Sequence, residues 1–237
     1  MPVRIVIRRR FRGPPESGNG GYSCGLLGAL MPGPAEVMLR KPPPLDAPMA
    51  VEQGADGTLT AVHDGADIIT ARPAEVDVSI PGAVSLASAE RAAASFEGFR
   101  DHAFPMCFVC GPDREAGDGL NIFPGELIRG IAAAPWTPDP KDADEHGIVH
   151  PEIVWAALDC PTGWSTHYKY PDAGIGLLGS LAASLLRPVT AGERYVAASW
   201  PAGRDGRKMY ATSAVLDADG EPFAVARATW IELKNQP

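Results

Sequence analysis

The two halves of this sequence carry the same short motifs in the same order. Each half has an Asp-Gly pair, beginning at Asp64 and at Asp219, and an apolar segment that ends in arginine seven residues after the glycine. Asp-Gly pairs between apolar segments are typical of tight hairpin turns. Residues 37–40 and 184–187, upstream of these turns, also both end in arginine and lead into a proline. The repetition therefore predicts two copies of one structural unit.

Each half also contains one short segment suited to a buried helix. In the first half residues 17–28 are rich in glycine, and in the second half an apolar segment holds a single carboxylate, Asp159. When the two segments are aligned, Asn19 takes the position of His150 and Gly28 takes the position of Asp159. Burying a carboxylate costs several kcal/mol unless it is paired or used in chemistry. Asp159 is therefore the first candidate for a functional residue.

Each copy is predicted to be a helix wrapped by an antiparallel sheet, which makes the fold class α+β. Gly and Pro number 26 and 24 in the chain, and this favours strands and turns over long helices. The predicted helices cover about residues 21–30 and 151–164, and the second begins at a proline, which suits the first helical position. The predicted strands cover about residues 3–7, 35–40, 47–53, 58–63, 67–72, 120–123, 126–133, 177–187, 193–200, 207–216 and 222–233.

The repeat also sets the domain boundaries. We assign residues 1–78 to an N-terminal unit and residues 103–237 to a C-terminal unit. Residues 79–102 are assigned to a linker that contains an alanine-rich helix.

Composition limits the classes of function. The net charge of −8 argues against nucleic-acid binding, which needs a basic surface. The sequence contains no run of 18 apolar residues and no signal-peptide pattern, so we expect a cytoplasmic protein with no membrane partner. The four cysteines are too scattered for a disulfide framework. Cys107 and Cys110 have the spacing of half a zinc motif, but no second Cys/His pair follows at a matching distance, so no metal is expected.

Two motifs of the second half resemble a known family. His150 closes a Gly-Ile-Val-His segment and is followed nine residues later by Asp159, while a Cys-Phe-Val-Cys-Gly-Pro-Asp segment from Cys107 precedes the pair Gly119-Leu120. Together they resemble the helix and its leader in hotdog-fold acyl-CoA thioesterases of the phenylacetate-pathway type. The resemblance covers residues 104–233 and, in the same order, residues 1–78. It implies a tandem double hotdog, in which two fused hotdogs replace the dimer of the family.

The resemblance also implies a substrate and a mode of assembly. The substrate is an acyl thioester, with coenzyme A as part of the substrate and no other cofactor. Double-hotdog protomers are expected to associate further as a possible homo-oligomer. Because the family builds its sites between subunits, a fused chain is expected to build them between its halves.

Thioester hydrolysis needs a carboxylate on one side of the carbonyl and N–H donors on the other. Asp159 supplies the carboxylate as a base or a nucleophile, and the turn formed by Asn19, Gly20 and Gly21 supplies main-chain amides that can approach the substrate closely. We therefore predict one composite active site across the two halves, with Gly20 and Gly21 as the oxyanion hole.

The reciprocal site is predicted to be inactive. Gly28 stands where the first copy should carry its carboxylate. Pro151 stands where the second copy should offer a main-chain donor, and proline has no N–H. This pair therefore forms a pseudo-site.

Further residues are candidates with a catalytic or a substrate-binding role. Thr162 lies about one helical turn beyond Asp159 and could hold the attacking water, or it is an ordinary helix hydroxyl. His150, Trp155 and Arg187 are candidates for substrate binding, although His150 also suits a helix cap and Trp155 a core position. The basic residues available to the phosphates of coenzyme A are Arg40, Arg187, Arg204, Arg207 and Lys208.

Three alternative functions remain open at this point. The degenerate motif copy is compatible with a non-catalytic protein that binds acyl-CoA or a related acyl ligand. A hotdog hydratase would need an Asp and a His close together in a loop, and His167 follows Asp159 only after a Pro-Thr-Gly segment. A purely structural role would not explain why an apolar helix contains a carboxylate.

Overall fold

The computed structural model describes residues 3–82 and 84–234. The N-terminal half contains β1 (Arg4–Val6), α1 (Gly20–Gly28), β2 (Ala35–Leu39), β3 (Pro48–Gln53), β4 (Leu59–His63) and β5 (Ala66–Pro73). The C-terminal half contains α2 (Leu86–Ala94), β6 (Gly125–Ile128), β7 (Ile131–Trp136), α3 (Pro151–Lys169), β8 (Gly176–Leu185), β9 (Tyr195–Asp205), β10 (Lys208–Leu216) and β11 (Pro222–Glu232). Each half has the predicted order of a helix and antiparallel strands.

The strands join into one antiparallel sheet that runs through both halves, in the order β1-β3-β4-β5-β2-β8-β11-β10-β9-β7-β6. The two halves meet where β2 pairs with β8. These are the strands that the repeated segments 37–40 and 184–187 mark in the sequence, so equivalent elements of the two copies face each other. The predicted Asp-Gly turns connect β4 to β5 and β10 to β11.

The helices α1 and α3 pack against each other inside the curve of the sheet. The main core cluster draws buried side chains from both halves, among them Leu27 and Val37 from the first and Leu158 and Leu181 from the second. The contact between α1 and α3 fixes the first turn of α1 against the middle of α3. This contact positions the candidate site.

Several predicted boundaries in the second half are wrong, and the strand predicted over 193–200 continues to Asp205. Residues 120–123 form no strand, because the amides of Leu120 and Ile122 bond to the turn at residues 107–110 instead of to a neighbouring strand. The single strand predicted over 126–133 is a hairpin, since Arg129 and Gly130 both have positive φ angles and reverse the chain.

Helix α3 is longer than predicted, because it continues through Pro161 and Gly163 to Lys169. A Cβ at Gly163 would lie 2.7 Å from the indole of Trp230, so the glycine allows β11 to pack closely on the helix. This packing offsets the cost of a proline and a glycine inside the helix.

The linker helix α2 packs against β6 and β7, on the C-terminal half. Of the helices in the described ranges, none combines the length and the apolar character that crossing a membrane requires.

Candidate active site

The candidate site is centred on Asp159, which is 1% exposed. Its Oδ2 accepts a hydrogen bond from the main-chain N–H of Gly21 at 2.7 Å and one from Nδ2 of Asn19 at 3.1 Å. Asp159 lies on α3 and its two donors lie at the start of α1. The structure thus brings together the carboxylate of one half and the glycine turn of the other.

The start of α1 is held in place by its own cap. Oδ1 of Asn19 accepts from the main-chain N–H of Tyr22 at 2.9 Å, which is the usual role of asparagine before a helix. The same side chain therefore caps α1 through its oxygen and contacts Asp159 through its nitrogen. The positive end of the α1 dipole points toward the carboxylate.

The second oxygen of Asp159 differs from the first in its contacts. Oδ1 is buried and has no hydrogen-bond partner within residues 3–82 and 84–234. Burial raises the pKa of Asp159 to about 7, against the opposing effect of the hydrogen bonds from Gly21 and Asn19. A buried carboxyl group with a raised pKa at a cavity is a candidate for a functional site.

Asp159 lines a cavity of about 1100 Å³ between the two halves. Asn19 and Gly20 also line it, together with apolar side chains of α3 and the sheet. Gly20 is the first residue of α1, and no residue within the described ranges accepts a hydrogen bond from its main-chain N–H. Asp159 and Gly20, which belong to opposite halves of the chain, thus line the same cavity.

The two glycines of the predicted oxyanion hole have different roles. The N–H of Gly21 is bonded to Asp159, so it orients the carboxylate. The N–H of Gly20 is the one left for a ligand. Comparing the two copies in the sequence could not assign separate roles to Gly20 and Gly21, because those roles depend on how closely α1 packs against α3.

Thr162 lies near Asp159 in the chain but its hydroxyl does not reach the carboxylate. It donates to the main-chain oxygen of Asp159 at 2.5 Å and accepts from the indole N–H of Trp230 at 2.7 Å. The hydroxyl therefore links α3 to β11.

The three predicted substrate-binding residues lie outside the cavity lining. Trp155 is buried between the helices, with its ring against Gly28. His150 precedes the first turn of α3, nine residues from Asp159 along the chain, which is about 13 Å along a helix. Arg187 is exposed and pairs with Glu221 at 3.2 Å.

The contact between Gly28 and Trp155 gives a prediction for the pseudo-site. A Cβ at Gly28 would lie 2.7 Å from the indole, so Gly28→Asp forces a charged side chain against a buried ring. We expect the variant to lose about 3 kcal/mol or more of unfolding free energy, measured by urea denaturation, and to gain no second site. A variant that is as stable as the parent would contradict this packing.

Sequence reasoning found only part of two groups of cavity residues. Arg40 and Lys41 follow β2 and are exposed at the cavity; Arg40 was among the predicted cations and Lys41 was not. Cys160 joins Cys107 and Cys110 in the lining. The position of Cys160 directly after Asp159 was the one sequence signal that it belongs to the site. Because Cys160 is 50 residues from Cys110, the spacing of the cysteines does not indicate that the three thiols meet.

Comparison with known proteins supports the fold. No protein-family model and no curated protein matches this sequence. Among solved structures, the TesB protein of Mycobacterium avium subsp. paratuberculosis superposes with a TM-score of 0.62 at 11% identity, covering 93% of this chain and 89% of its own. A hot dog fold protein of unknown function from Alicyclobacillus acidocaldarius gives a TM-score of 0.65 at 11% identity, covering 98% of this chain and 93% of its own. The chain therefore has the hotdog fold, in the tandem double form that the sequence repeat predicts.

Proposed function

We propose that this protein is a thioesterase-like hydrolase that cleaves an acyl thioester at one composite site per chain. The observation that carries the proposal is that Asp159, whose buried Oδ1 has no hydrogen-bond partner in the described part of the chain, lines the same cavity as Gly20. Hydrolysis of a thioester requires these two groups on either side of a carbonyl. The hotdog fold, shared with the TesB protein over nearly the whole chain, supports the same reaction class.

Each group has a defined task in the proposed reaction. The N–H of Gly20 donates to the carbonyl oxygen, on which negative charge develops during attack. Asp159 takes a proton from a water molecule, whose oxygen then bonds to the carbonyl carbon. The C–S bond breaks, the thiolate receives the proton, and the products are a carboxylic acid and a thiol.

The same geometry serves a second route in which Asp159 is the nucleophile. Oδ1 would then bond to the carbonyl carbon and expel the thiolate, leaving a mixed anhydride that water hydrolyses. A single turnover in ¹⁸O-labelled water tests for the anhydride route. Label enters the Asp159 side chain only if water attacks the Asp159 carboxyl carbon of an anhydride, whereas water attack on the acyl carbon in either route places the label in the acid product.

Asn19 and Gly21 act as positioning residues in this proposal. Their hydrogen bonds hold Oδ2, while Oδ1 has no partner in the described part of the chain. They also stabilise the ionised carboxyl group in an environment that otherwise disfavours its charge.

The cavity suits a ligand with an apolar acyl group and a charged carrier. The apolar residues that line it include Trp164, Leu178, Met209 and Trp230. At another part of the lining Arg40 and Lys41 are exposed, where they can meet the phosphates of coenzyme A.

This assignment predicts a selective effect of Arg40→Ala. The KM for an acyl-CoA should rise about three- to tenfold, because one charged contact to phosphate is lost. The KM for the same acyl group on N-acetylcysteamine, which has no phosphate, should stay within about twofold, since no such contact is involved. Arg187→Ala is the matched control, because Arg187 is an exposed arginine outside the cavity lining. Equal changes for both substrates would exclude Arg40 as the phosphate contact.

A second candidate function is non-catalytic binding of an acyl ligand. It is favoured by the use of the Gly21 amide to hold Asp159, which leaves a single main-chain donor for an oxyanion. Release of free thiol from a panel of acyl-CoAs of different chain length separates the two functions. Hydrolysis supports the enzyme, whereas thermal stabilisation by an acyl-CoA without any thiol release supports the binding protein.

A further inference from the structure

Three buried cysteines meet beside the candidate active site. Cys107 and Cys110 lie in the turn that precedes β6, and Cys160 lies on α3 directly after Asp159. Their sulfur atoms all lie within 4.8 Å of one another, and those of Cys107 and Cys160 are 3.6 Å apart. The thioesterase chemistry described above uses none of them.

The sulfur spacing matches the size of a zinc site. A tetrahedral zinc ion holds thiolate sulfurs at about 2.3 Å, which places two such sulfurs about 3.8 Å apart. A disulfide between two of these cysteines would need their sulfurs at about 2.05 Å and would leave the third cysteine as a free thiol. Three thiols at this spacing therefore fit a shared ion better than a covalent pair.

The groups around the sulfurs are N–H donors, which suit thiolates. Phe104 donates its main-chain N–H to Nδ1 of His102 at 2.9 Å, so the ring proton lies on Nε2, which is 3.3 Å from Sγ of Cys110. Donors to the ligand atoms are the usual second layer of a metal site.

Asn19 extends this donor layer to the other sulfurs. Its Nδ2 lies 3.7 Å from Sγ of Cys107 and 3.8 Å from Sγ of Cys160, as well as near Asp159. An ion at the three sulfurs would therefore sit next to the residue that joins α1 to the carboxylate.

We propose that Cys107, Cys110 and Cys160 bind one Zn²⁺ ion as three thiolates. Soft thiolate ligands select zinc over the hard cations Mg²⁺ and Ca²⁺. All three cysteines line the cavity, so the fourth position belongs to a water molecule or to a ligand in the cavity. His102 donates to Cys110 and is not a ligand. The ion ties the turn at residues 107–110 to α3, and its presence does not depend on the reaction proposed above.

The test measures the metal content of the full chain, purified under reducing conditions without a histidine tag. The wild type should contain about one zinc per chain, and Cys107→Ser, Cys110→Ser and Cys160→Ser should each lose most of it. Cys24→Ser is the matched control, since Cys24 is buried on α1 and lies outside the three-sulfur group. His102→Ala should keep the zinc. Loss of zinc in that variant would contradict the assignment of the fourth position to water or a cavity ligand.

A second measurement does not depend on how the variants fold. Apo wild type titrated with Co²⁺ should develop thiolate-to-cobalt absorption that saturates at about one equivalent and disappears when Zn²⁺ is added. The thermal unfolding temperature should rise when Zn²⁺ is added and fall back to the apo value when a chelator removes the ion. Absence of zinc together with absence of the cobalt spectrum in the reduced wild type would overturn the proposal, as would a Cys107–Cys160 disulfide in the protein as isolated.

Discussion

Asp159→Asn is expected to lower kcat for thioester hydrolysis by about 10²- to 10⁴-fold, because an amide can neither take a proton from water nor attack the carbonyl. The amide oxygen still accepts from Gly21, so the contact between α1 and α3 is kept. Stability should change little, since two effects oppose each other. The variant removes the cost of burying a carboxylate and leaves a buried NH₂ group in the place of Oδ1.

Asp142→Asn is the matched control for this variant. Asp142 is also buried and also has one oxygen without a partner in the described chain, but it pairs with Arg10 at 3.1 Å and lies outside the cavity lining. The control should lose about 1 to 3 kcal/mol of unfolding free energy and keep its kcat within about twofold. If Asp159→Asn keeps full activity, the site assignment is wrong.

Gly21→Ala is expected to damage both the fold and the reaction. A Cβ at this position would lie 2.4 Å from Cβ of Asp159 and 2.8 Å from the main-chain oxygen of Trp155, so α1 must move away from α3. Unfolding free energy should fall by about 3 kcal/mol, which denaturant titration measures. The displacement also moves the N–H that holds Oδ2, and an error of about 1 Å in such a contact can lower kcat by about 100-fold.

Gly33→Ala provides the comparison for this effect. A Cβ at Gly33 meets no atom within 4 Å, so the substitution should change unfolding free energy by no more than about 0.5 kcal/mol and leave kcat unchanged. If Gly21→Ala behaves like Gly33→Ala, then the close approach of the two helices is not what positions Asp159.

The repeat was sufficient to predict two equivalent units, and the family resemblance named their fold. Motifs in the same order in both halves predicted two equivalent units, and the strands that they mark, β2 and β8, are those that pair across the junction. Most strand boundaries in the first half agree within one residue, since Asp-Gly turns and alternating apolar residues are local signals. The pairing of Asp159 with the turn at Asn19, Gly20 and Gly21 came from the resemblance, because that family builds its sites between subunits.

The parts that sequence reasoning missed depend on contacts between distant segments. Cys160 meets Cys107 only after α3 packs against the turn, and local spacing contains no information on that approach. Trp155 looked like a substrate contact, but its ring fills the space left by Gly28. The separate roles of Gly20 and Gly21 depend on an oxygen position that only the packed helices define.

A crystal structure with a non-hydrolysable acyl-CoA analogue would show whether one composite site spans the two halves. We expect the analogue's carbonyl oxygen within hydrogen-bond distance of the Gly20 amide, its carbonyl carbon facing Oδ1 of Asp159, and one occupied site per chain. An analogue bound with its carbonyl away from Asp159, or a second equivalent site at Gly28, would contradict this expectation.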